Sequence, residues 1–288
     1  MSISIKIDIN FINKDRIADM GYASPADGGH HLDLGSTPTA ELAVSGVAVC
    51  YPQGHVVPTH QHCSGHLIYA DQGLLRVEAE TGQWLVPPTS AVWLRPQVPH
   101  RLVVPVALQA HGIFVREDVC ANLPLTDCVM QVSGLARELI VKLTSLDAAA
   151  PFSRHAYLLG ELLIEELRAT PPRPFHLPWP EHPQIRDVCQ RLTDDPGHIG
   201  TTEDWANRLA ISAKTFQRRF LKSTGMTFGR WRQQLRLMSS LSLLIQGTPI
   251  TQVALASGYD SHSAYTTAFR RQFGQSPSAF LSSSAQAK

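Results

Sequence analysis

The last hundred or so residues contain one pattern twice, and this repeat limits the fold more than any other feature of the 288-residue chain. The two copies are offset by 48 residues before a short turn and by 49 after it. The matched positions are Trp205–Ala210 with Val253–Gly258, Phe216 and Phe220 with Tyr265 and Phe269, and Gly225 with Gly274. Each copy is predicted to form two short helices joined by a tight turn, a helix-turn-helix unit. Two such units can place two helices in successive major grooves of one DNA duplex.

The distribution of charge supports this interpretation. The formal net charge is only +1, but residues 181–288 carry 13 Lys and Arg against 7 Asp and Glu, whereas residues 1–180 carry 12 against 17. Attraction to phosphate is therefore concentrated where the repeat lies. Five cysteines without a CxxC pair fit a reducing cytoplasm, and no apolar run approaches the roughly 18 residues that a membrane span needs. We expect a cytoplasmic protein with no membrane partner.

The second helix of the first unit is predicted over Ser212–Thr224, with Ser212 as its N-cap. At 3.6 residues per turn, Phe216 and Phe220 face the core of the domain. The side chains on the opposite side are Lys214, Gln217 and Arg218, with Lys222 at its edge. Long or forked donors of this kind match the major-groove edges of guanine and adenine. A solvated charged face is the alternative, but the duplicated context favours base contacts.

The second unit is predicted to read bases less specifically. Its equivalent polar positions are Ser263, Thr266 and Thr267, with His262 at the helix start and Arg270 and Arg271 a turn further on. Hydroxyl groups discriminate among bases less than Arg or Gln does, so the first unit is expected to supply most of the specificity and the second mostly to position the protein. On the helix between the units, Arg230, Arg232 and Arg236 are candidates either for phosphate contacts or for plain solubility.

Upstream of the repeat the pattern is that of a β-sandwich or small barrel. Short alternating apolar runs occur at Leu42–Tyr51, His66–Ala70, Leu74–Ala79, Ala91–Leu94, Leu102–Val104 and Ala110–Val115. From about Val129 the period becomes helical, and two amphipathic stretches within 131–169, separated by a break at 148–151, predict a helical hairpin packed on the barrel or on a second subunit. The proline-rich segment 170–182 is predicted to lack regular hydrogen-bonded structure and to link the domains.

Several runs in the repeat region are typical of one family. They are Lys214–Phe220 with Gly225 and Phe228, then Ile250–Ala254, Gly258–Ser261, Ala264–Gly274 and Pro277. These residues closely resemble the DNA-binding domain of AraC/XylS-type transcriptional regulators. The resemblance implies seven helices over 183–288, with two helix-turn-helix units joined by a long helix and bound to adjacent major grooves of a promoter. The chain departs from the family pattern in one respect, because the second unit lacks a basic residue at the inner reading positions.

Other segments resemble a particular branch of this family. They are Leu67–Ala70, Gly82–Pro88, Ala91–Trp93 and Trp231–Arg236. They look like the NimR-like subgroup, whose members often lie beside efflux transporter genes. Family members mostly activate transcription, although this branch includes repressors, so the resemblance favours an activator.

A histidine-rich segment within residues 1–130 resembles the first cupin motif. Its positions are Gly54, His60, His62, His66 and Gly73, with His66 where the motif normally has Glu. Pro96–His100 is a shortened counterpart of the second motif and lacks its glycine. The resemblance implies a cupin-like β-barrel. With the helical patterns downstream, the predicted fold class is α+β, in which this N-terminal barrel is followed by a helical hairpin and an all-α domain with two helix-turn-helix units.

The histidines suggest a ligand for the barrel. His60, His62 and His66 share strand parity, so they are predicted to point to one interior face. Together with His100 they could bind a divalent transition metal ion such as zinc, nickel or cobalt through neutral imidazole nitrogen, with Cys63 as an additional soft ligand. The alternatives are a polar pocket for an organic effector and a purely structural cluster.

Three functions remain open at this point. The first is a regulator in which a metal ion or small molecule bound in the barrel changes promoter occupancy or contact with RNA polymerase, with the hairpin forming a homodimer. The second is a metal-dependent cupin enzyme fused to a DNA-binding module, which the absence of the usual Glu ligand disfavours. The third is a constitutive DNA-binding protein whose barrel only dimerises. We expect the first, with no enzymatic activity.

Overall fold

The N-terminal half consists of two six-stranded β-sheets. In this computed structural model, the described residues are 30–31, 42–88, 90–121, 123–146, 153–173 and 175–286, so the predicted break at 148–151 lies outside them. The strands are β1 His30–His31, β2 Val44–Tyr51, β3 Val56–Gln61, β4 Gly65–Ala70, β5 Leu74–Ala79, β6 Gly82–Val86, β7 Ser90–Leu94, β8 His100–Val106, β9 Leu108–Val115, β10 Cys128–Gln131, β11 Pro172–Arg173 and β12 His176–Pro178. Their orders are β1-β3-β8-β5-β6-β12 and β11-β10-β7-β4-β9-β2.

Side chains from both sheets share one apolar core. Val77 and Val104 of the first sheet and Ile68 and Val92 of the second are almost completely buried in the same cluster. This arrangement confirms the cupin-like fold class, and each of the six predicted apolar runs overlaps a strand. The six runs did not include β1, β3, β6, β10, β11 or β12. Strand β6 is buried along its whole length, so its residues do not alternate between apolar and polar types.

A helical hairpin covers the outer face of the second sheet. After the short helix α1 (Glu117–Cys120), its two helices are α2 (Gly134–Thr144) and α3 (Arg154–Arg168). Leu139, Ile140 and Leu163 are buried in a second core that they form with the sheet. The Ser133 hydroxyl caps α2 by accepting the Ala136 amide, and it donates to Glu166 on α3. The hairpin therefore packs on its own barrel, which is one of the two arrangements that the sequence left open.

The segment 170–182 corrects a prediction. It was expected to exclude regular hydrogen-bonded structure, but β11 pairs with β10 and β12 pairs with β6, so the segment adds an edge strand to each sheet. Pro172 and Pro178 can occupy these strands because an edge strand needs backbone donors on one side only. The segment that leads toward the C-terminal half is therefore also part of the barrel.

The C-terminal half is helical throughout its described residues. Its seven helices are α4 (Pro183–Asp194), α5 (Thr202–Arg208), α6 (Ala213–Thr224), α7 (Phe228–Ile245), α8 (Ile250–Ala256), α9 (His262–Phe273) and α10 (Pro277–Gln286). Helices α5 and α6 form the first helix-turn-helix unit, α8 and α9 form the second, and α7 connects them. This agrees with the seven helices that the family resemblance implied.

The backbone repeats along with the sequence. Gly225 and Gly274 both end their helices in the left-handed conformation, with φ of 69° and 78°. The turn before each second helix also contains a left-handed residue at the matched position, Ala210 with φ 53° and Gly258 with φ 74°. Ala210 carries a Cβ in a region that favours glycine, so its turn is held by the packing of the unit.

The two halves are in contact through the connecting helix. Helix α7 packs on β5, β8 and β12 of the first sheet. The Trp231 indole Nε1 donates to the Pro178 carbonyl at 2.9 Å, and the Gln234 amide donates to the carbonyl of His176. Phe175 stacks on Phe273 with ring centres 4.9 Å apart. A change in the barrel would therefore reach α7 directly.

Candidate DNA-reading and ligand-binding sites

Helix α6 presents the predicted polar face to solvent. Its exposed residues include all four that the sequence singled out, namely Lys214, Gln217, Arg218 and Lys222. The neighbouring Arg219 is only partly exposed, and its guanidinium donates to the Gln184 side chain at 3.4 Å. The α6 face is therefore not covered by the barrel.

Local chemistry and packing fix the orientation of this face. The Ser212 hydroxyl accepts the Thr215 amide and caps the helix, as predicted. Phe216 and Phe220 are completely buried on the opposite side, where Phe220 meets Phe228 and Trp231 edge to face. Because these rings cannot turn outward without opening the core, the polar face of α6 must point away from the domain.

The second unit has the same design with shorter polar side chains. Ser261 caps α9 by accepting the Ala264 amide, while Tyr265 and Phe269 are completely buried. The exposed residues of its outer face are His262, Ser263, Thr267 and Arg270, and Thr266 is half-buried. This surface offers hydroxyl groups in the middle and an arginine in the last turn.

The arginines of α7 have different positions. Arg230 is exposed and remains a candidate for phosphate contact. Arg232 and Arg236 are half-buried and donate to backbone carbonyls, Arg232 to Gly200 at 2.7 Å and Arg236 to Gly258 at 3.0 Å. Their guanidinium groups are engaged inside the domain, which favours a structural role over contact with phosphate.

The predicted histidines come together inside the barrel, but not in the way that strand parity implied. His60 lies on β3 and His62 directly follows it, whereas His66 lies on β4 of the other sheet. Alternation along a single strand therefore does not account for their convergence. They converge because the two sheets face each other and because a register shift between Val57 and His60 redirects β3.

The cluster has an inner set of three. His60, His62 and His100 are buried, and one ring nitrogen from each lies within 4.8 Å of the others. His60 and His100 are paired across β3 and β8, with ring centres 4.4 Å apart. His66 lies beside this set, 4.7 Å from the ring of His62, and stacks on Phe114. The structure thus brings three of the four predicted ligands within reach of one ion and places the fourth next to them.

Backbone carbonyls define which nitrogen of the inner set faces inward. His60 Nδ1 donates to the Pro58 carbonyl at 2.7 Å, and His100 Nδ1 donates to the Val98 carbonyl at 2.8 Å. Because a carbonyl can only accept, Nδ1 carries the proton and Nε2 keeps its lone pair. The Nε2 atom of His100 is buried and has no hydrogen-bond partner among the described residues. These contacts use backbone acceptors, so no side-chain motif signals them.

Burial keeps the histidines neutral. It lowers the pKa of His100 to about 3, with a further contribution from His60. It also holds the pKa of His66 well below its usual range, helped by the charges that its three histidine neighbours would carry. Neutral imidazoles at ordinary pH can coordinate a metal ion or accept hydrogen bonds from a ligand.

The inner set fits a divalent transition metal ion in chemistry and nearly in size. Three imidazoles are a common donor set for zinc, and the second nitrogens of His60 and His100 are already held by carbonyls. The nitrogens now lie within 4.8 Å of one another. A tetrahedral zinc ion would bring them to about 3.3 Å, so they would have to close by about 1.5 Å at most. Cys63, the additional predicted ligand, is exposed.

Within the part of the chain that the structure describes, no helix has the length and apolar character of a membrane-spanning segment.

Comparison with known proteins agrees with both halves. Residues 41–124 match the family profile described as an AraC-like ligand binding domain, and residues 205–283 match the profile of a helix-turn-helix domain. These matches define a transcriptional regulator with a DNA-binding domain and a ligand-binding, cupin-like domain.

An extensive similarity is to a regulator from Escherichia coli. The chain is 34% identical over 258 residues to the HTH-type transcriptional regulator NimR of strain K12, covering 88% of this chain and 93% of NimR. It is also 40% identical over 103 residues to the regulator RipA of Corynebacterium glutamicum, covering 36% of this chain and 31% of RipA. The chain belongs to the AraC family of transcriptional regulators.

The chain is also similar, at lower identity, to a solved structure. The structure of ToxT from Vibrio cholerae aligns with 83% of this chain and 98% of its own, at 12% identity and a TM-score of 0.35.

Proposed function

We propose that this regulator places α6 and α9 in two successive major grooves of promoter DNA, and that α6 supplies most of the base recognition. The observation that carries the proposal is the exposed face of α6, where Lys, Gln and Arg project opposite two completely buried phenylalanines. These side chains can pair with guanine and adenine edges. The base-reading residues are Lys214, Gln217 and Arg218, with Lys222 at the edge of the contact.

The second unit has the complementary role in this proposal. His262 and Arg270 lie at the two ends of α9 and supply phosphate contacts. Between them, the hydroxyls of Ser263, Thr266 and Thr267 make contacts that distinguish bases weakly. The second unit therefore fixes the register of the protein on the duplex, while the first determines which sequence is chosen.

A pair of adjacent arginines offers a direct test. The probe is a duplex selected from a random pool by the wild-type protein. Arg218→Ala is expected to weaken binding to it by about 1–3 kcal/mol and to relax the base preference at one or two positions. Arg219→Ala is the matched control, since it removes the same charge from the next residue, which contacts Gln184. Fluorescence anisotropy at one fixed salt concentration measures both.

The two variants separate base reading from general charge. If Arg219→Ala causes the same loss, or if Arg218→Ala weakens all sequences equally, then Arg218 acts only by attracting phosphate. Unchanged affinity and base preference in Arg218→Ala would remove this residue from the reading face.

We further propose that the histidine cluster is the effector site and that it takes a divalent transition metal ion, zinc, nickel or cobalt. The Nε2 atoms of His60, His62 and His100 would hold the ion, and His66 would line the site. When bound, the ion supplies a positive charge and a fixed geometry to residues of β3 and β8. Because β8 packs against α7, this residue set is one helix away from both helix-turn-helix units. An organic effector in the same pocket is the alternative outcome.

The outer surface of the helical hairpin is a candidate dimer interface. Leu135, Tyr157, Leu158 and Leu162 leave large exposed apolar side chains on the hairpin, which supports a homodimer through α2 and α3. Sedimentation of a Leu158→Glu variant tests this, because a dimer interface there would not tolerate the charge.

The family resemblance supports activation through RNA polymerase, with an adjacent transporter gene as the target. A reporter fused to that promoter would lose expression on deletion of the regulator, whereas a rise would indicate repression.

A further inference from the structure

One arginine of the connecting helix joins the two helix-turn-helix units. Arg236 lies in the middle of α7, and its guanidinium donates to three backbone carbonyls. Two belong to the loop between α4 and α5 in front of the first unit, Pro196 at 3.1 Å and His198 at 3.0 Å. The third is Gly258 at 3.0 Å, in the turn between α8 and α9 of the second unit. A single side chain of the connecting helix thus contacts the loop that leads into the first unit and the turn inside the second unit.

The backbone around Arg236 is closely fitted to it. A Cβ on Gly258 would lie 2.7 Å from the guanidinium carbon, so a larger residue here would displace the Arg236 guanidinium, and the left-handed φ of 74° also favours glycine. The loop before the first unit also lies close to the second unit, since a Cβ on Gly197 would lie 3.3 Å from the Ala256 carbonyl oxygen. Arg236 therefore lies at the place where the two units meet.

The Arg236 guanidinium can hold these carbonyls at fixed distances from one another. Arginine has five donors in a rigid plane, so it can bind several carbonyls whose relative positions are thereby fixed. None of the ion pairs formed by the described residues includes Arg236. Its charged guanidinium instead donates hydrogen bonds to neutral backbone carbonyls. Charge-assisted hydrogen bonds of this kind are stronger than neutral ones.

We infer that Arg236 is a positioning residue that sets the distance and rotation between α6 and α9, and so selects the spacing of the two DNA half-sites. This rests on the proposed function, in which both helices enter one duplex. Adding one base pair rotates the second half-site by roughly 35° around the DNA axis. A rigid pair of units cannot follow that change, whereas a loosened pair can.

The test compares half-site spacings. A duplex selected by the wild-type protein is altered by inserting or removing one base pair between the two contacted patches, and the affinity is measured for each length. The wild-type protein should lose about 10-fold or more when the spacing changes. In Arg236→Gln the affinity for the original spacing should fall, and the ratio between spacings should shrink to within about 2-fold, because the second unit is free to adjust.

Arg232 provides a matched control on the same helix. It donates to the carbonyls of Gly200 and His198, in the same loop, but not to the second unit. Arg232→Gln should therefore keep the wild-type preference for spacing even if it lowers the melting temperature. If Arg236→Gln does not fold, Gly258→Ala displaces the guanidinium from the other side and should relax the spacing in the same way.

Each outcome has a defined meaning. A wild-type spacing ratio in both Arg236→Gln and Gly258→Ala would overturn the inference. Equal relaxation in Arg232→Gln would also overturn it, because general loosening of α7 would then explain the effect. If the wild-type protein itself shows no spacing preference, binding by two units fails and the proposed function falls together with the inference.

Discussion

A variant in which Lys214, Gln217 and Arg218 are all changed to alanine is expected to bind the selected operator no more tightly than unrelated DNA. The three side chains are exposed on α6, and each good pair with a base edge contributes about 1–3 kcal/mol. Their combined loss approaches the gap between specific and non-specific binding, which is about 4–10 kcal/mol. Titration of the operator and of a scrambled duplex at the same salt concentration measures this directly.

The equivalent change in the second unit is the control. Alanine at Ser263, Thr266 and Thr267 removes the matched positions of α9, where only hydroxyl groups are present. We expect this variant to keep most of the specificity, with a loss at least 10-fold smaller than that of the α6 variant, because hydroxyls discriminate bases weakly. A larger loss in the α9 variant would show that the second unit is the main reader.

The second large effect concerns the histidine cluster. His100→Ala is expected to lower the affinity of the protein for zinc, nickel or cobalt by more than the roughly 10- to 100-fold that loss of an outer contact costs, because it removes a ligand. Among the described residues, the Nε2 atom of His100 has no hydrogen-bond partner. It is buried close to His60 and His62, and its lone pair is available to a metal ion. Competition with a chromophoric chelator, starting from metal-free protein, measures the affinity without requiring any knowledge of the promoter.

A second buried histidine serves as the control for this experiment. His111 lies in the same domain, but its Nδ1 contacts the Thr144 hydroxyl at 2.8 Å between β9 and the hairpin. His111→Gln should therefore leave metal affinity unchanged while testing for general damage to the barrel. If wild-type protein binds none of the three metals, or if His100→Ala binds them equally well, the cluster is a polar pocket for an organic effector or a structural feature.

The DNA-binding half could be predicted closely because its information is local. The aromatic residues Phe216 and Phe220 recur at helical spacing and appear again as Tyr265 and Phe269 one repeat later. The cap at Ser212 signals the helix start within a few residues. Such signals depend on neighbours in the chain, and they indicate which face of α6 is buried even before the fold is known.

The barrel was harder to predict because its contacts are between distant residues. The proline-rich segment 170–182 has no local preference for strands, yet Pro172 and His176 pair with β10 and β6, which lie far upstream. The histidines illustrate the same limit. Motif spacing brought His60 and His66 into one set, but only the packing of two sheets shows that they approach from opposite sides.

The α7 arginines show where sequence reasoning was undecided. Arg230, Arg232 and Arg236 are equally good candidates for phosphate contact in the sequence, because they share charge and helix. The structure separates them by their acceptors, since Arg232 and Arg236 bind carbonyls of loops that are 22 to 40 residues away in the chain. No periodicity predicts an acceptor at that separation.

Protection of guanine N7 from methylation tests the central claim most directly, since this atom lies in the major groove. With wild-type protein on the selected duplex, we expect protection in two patches about 10 base pairs apart on one face of the DNA, as two helices in successive major grooves require. The patch next to α6 should disappear in the Lys214, Gln217 and Arg218 variant. Protection of one patch only, or protection confined to the minor groove, would contradict the account.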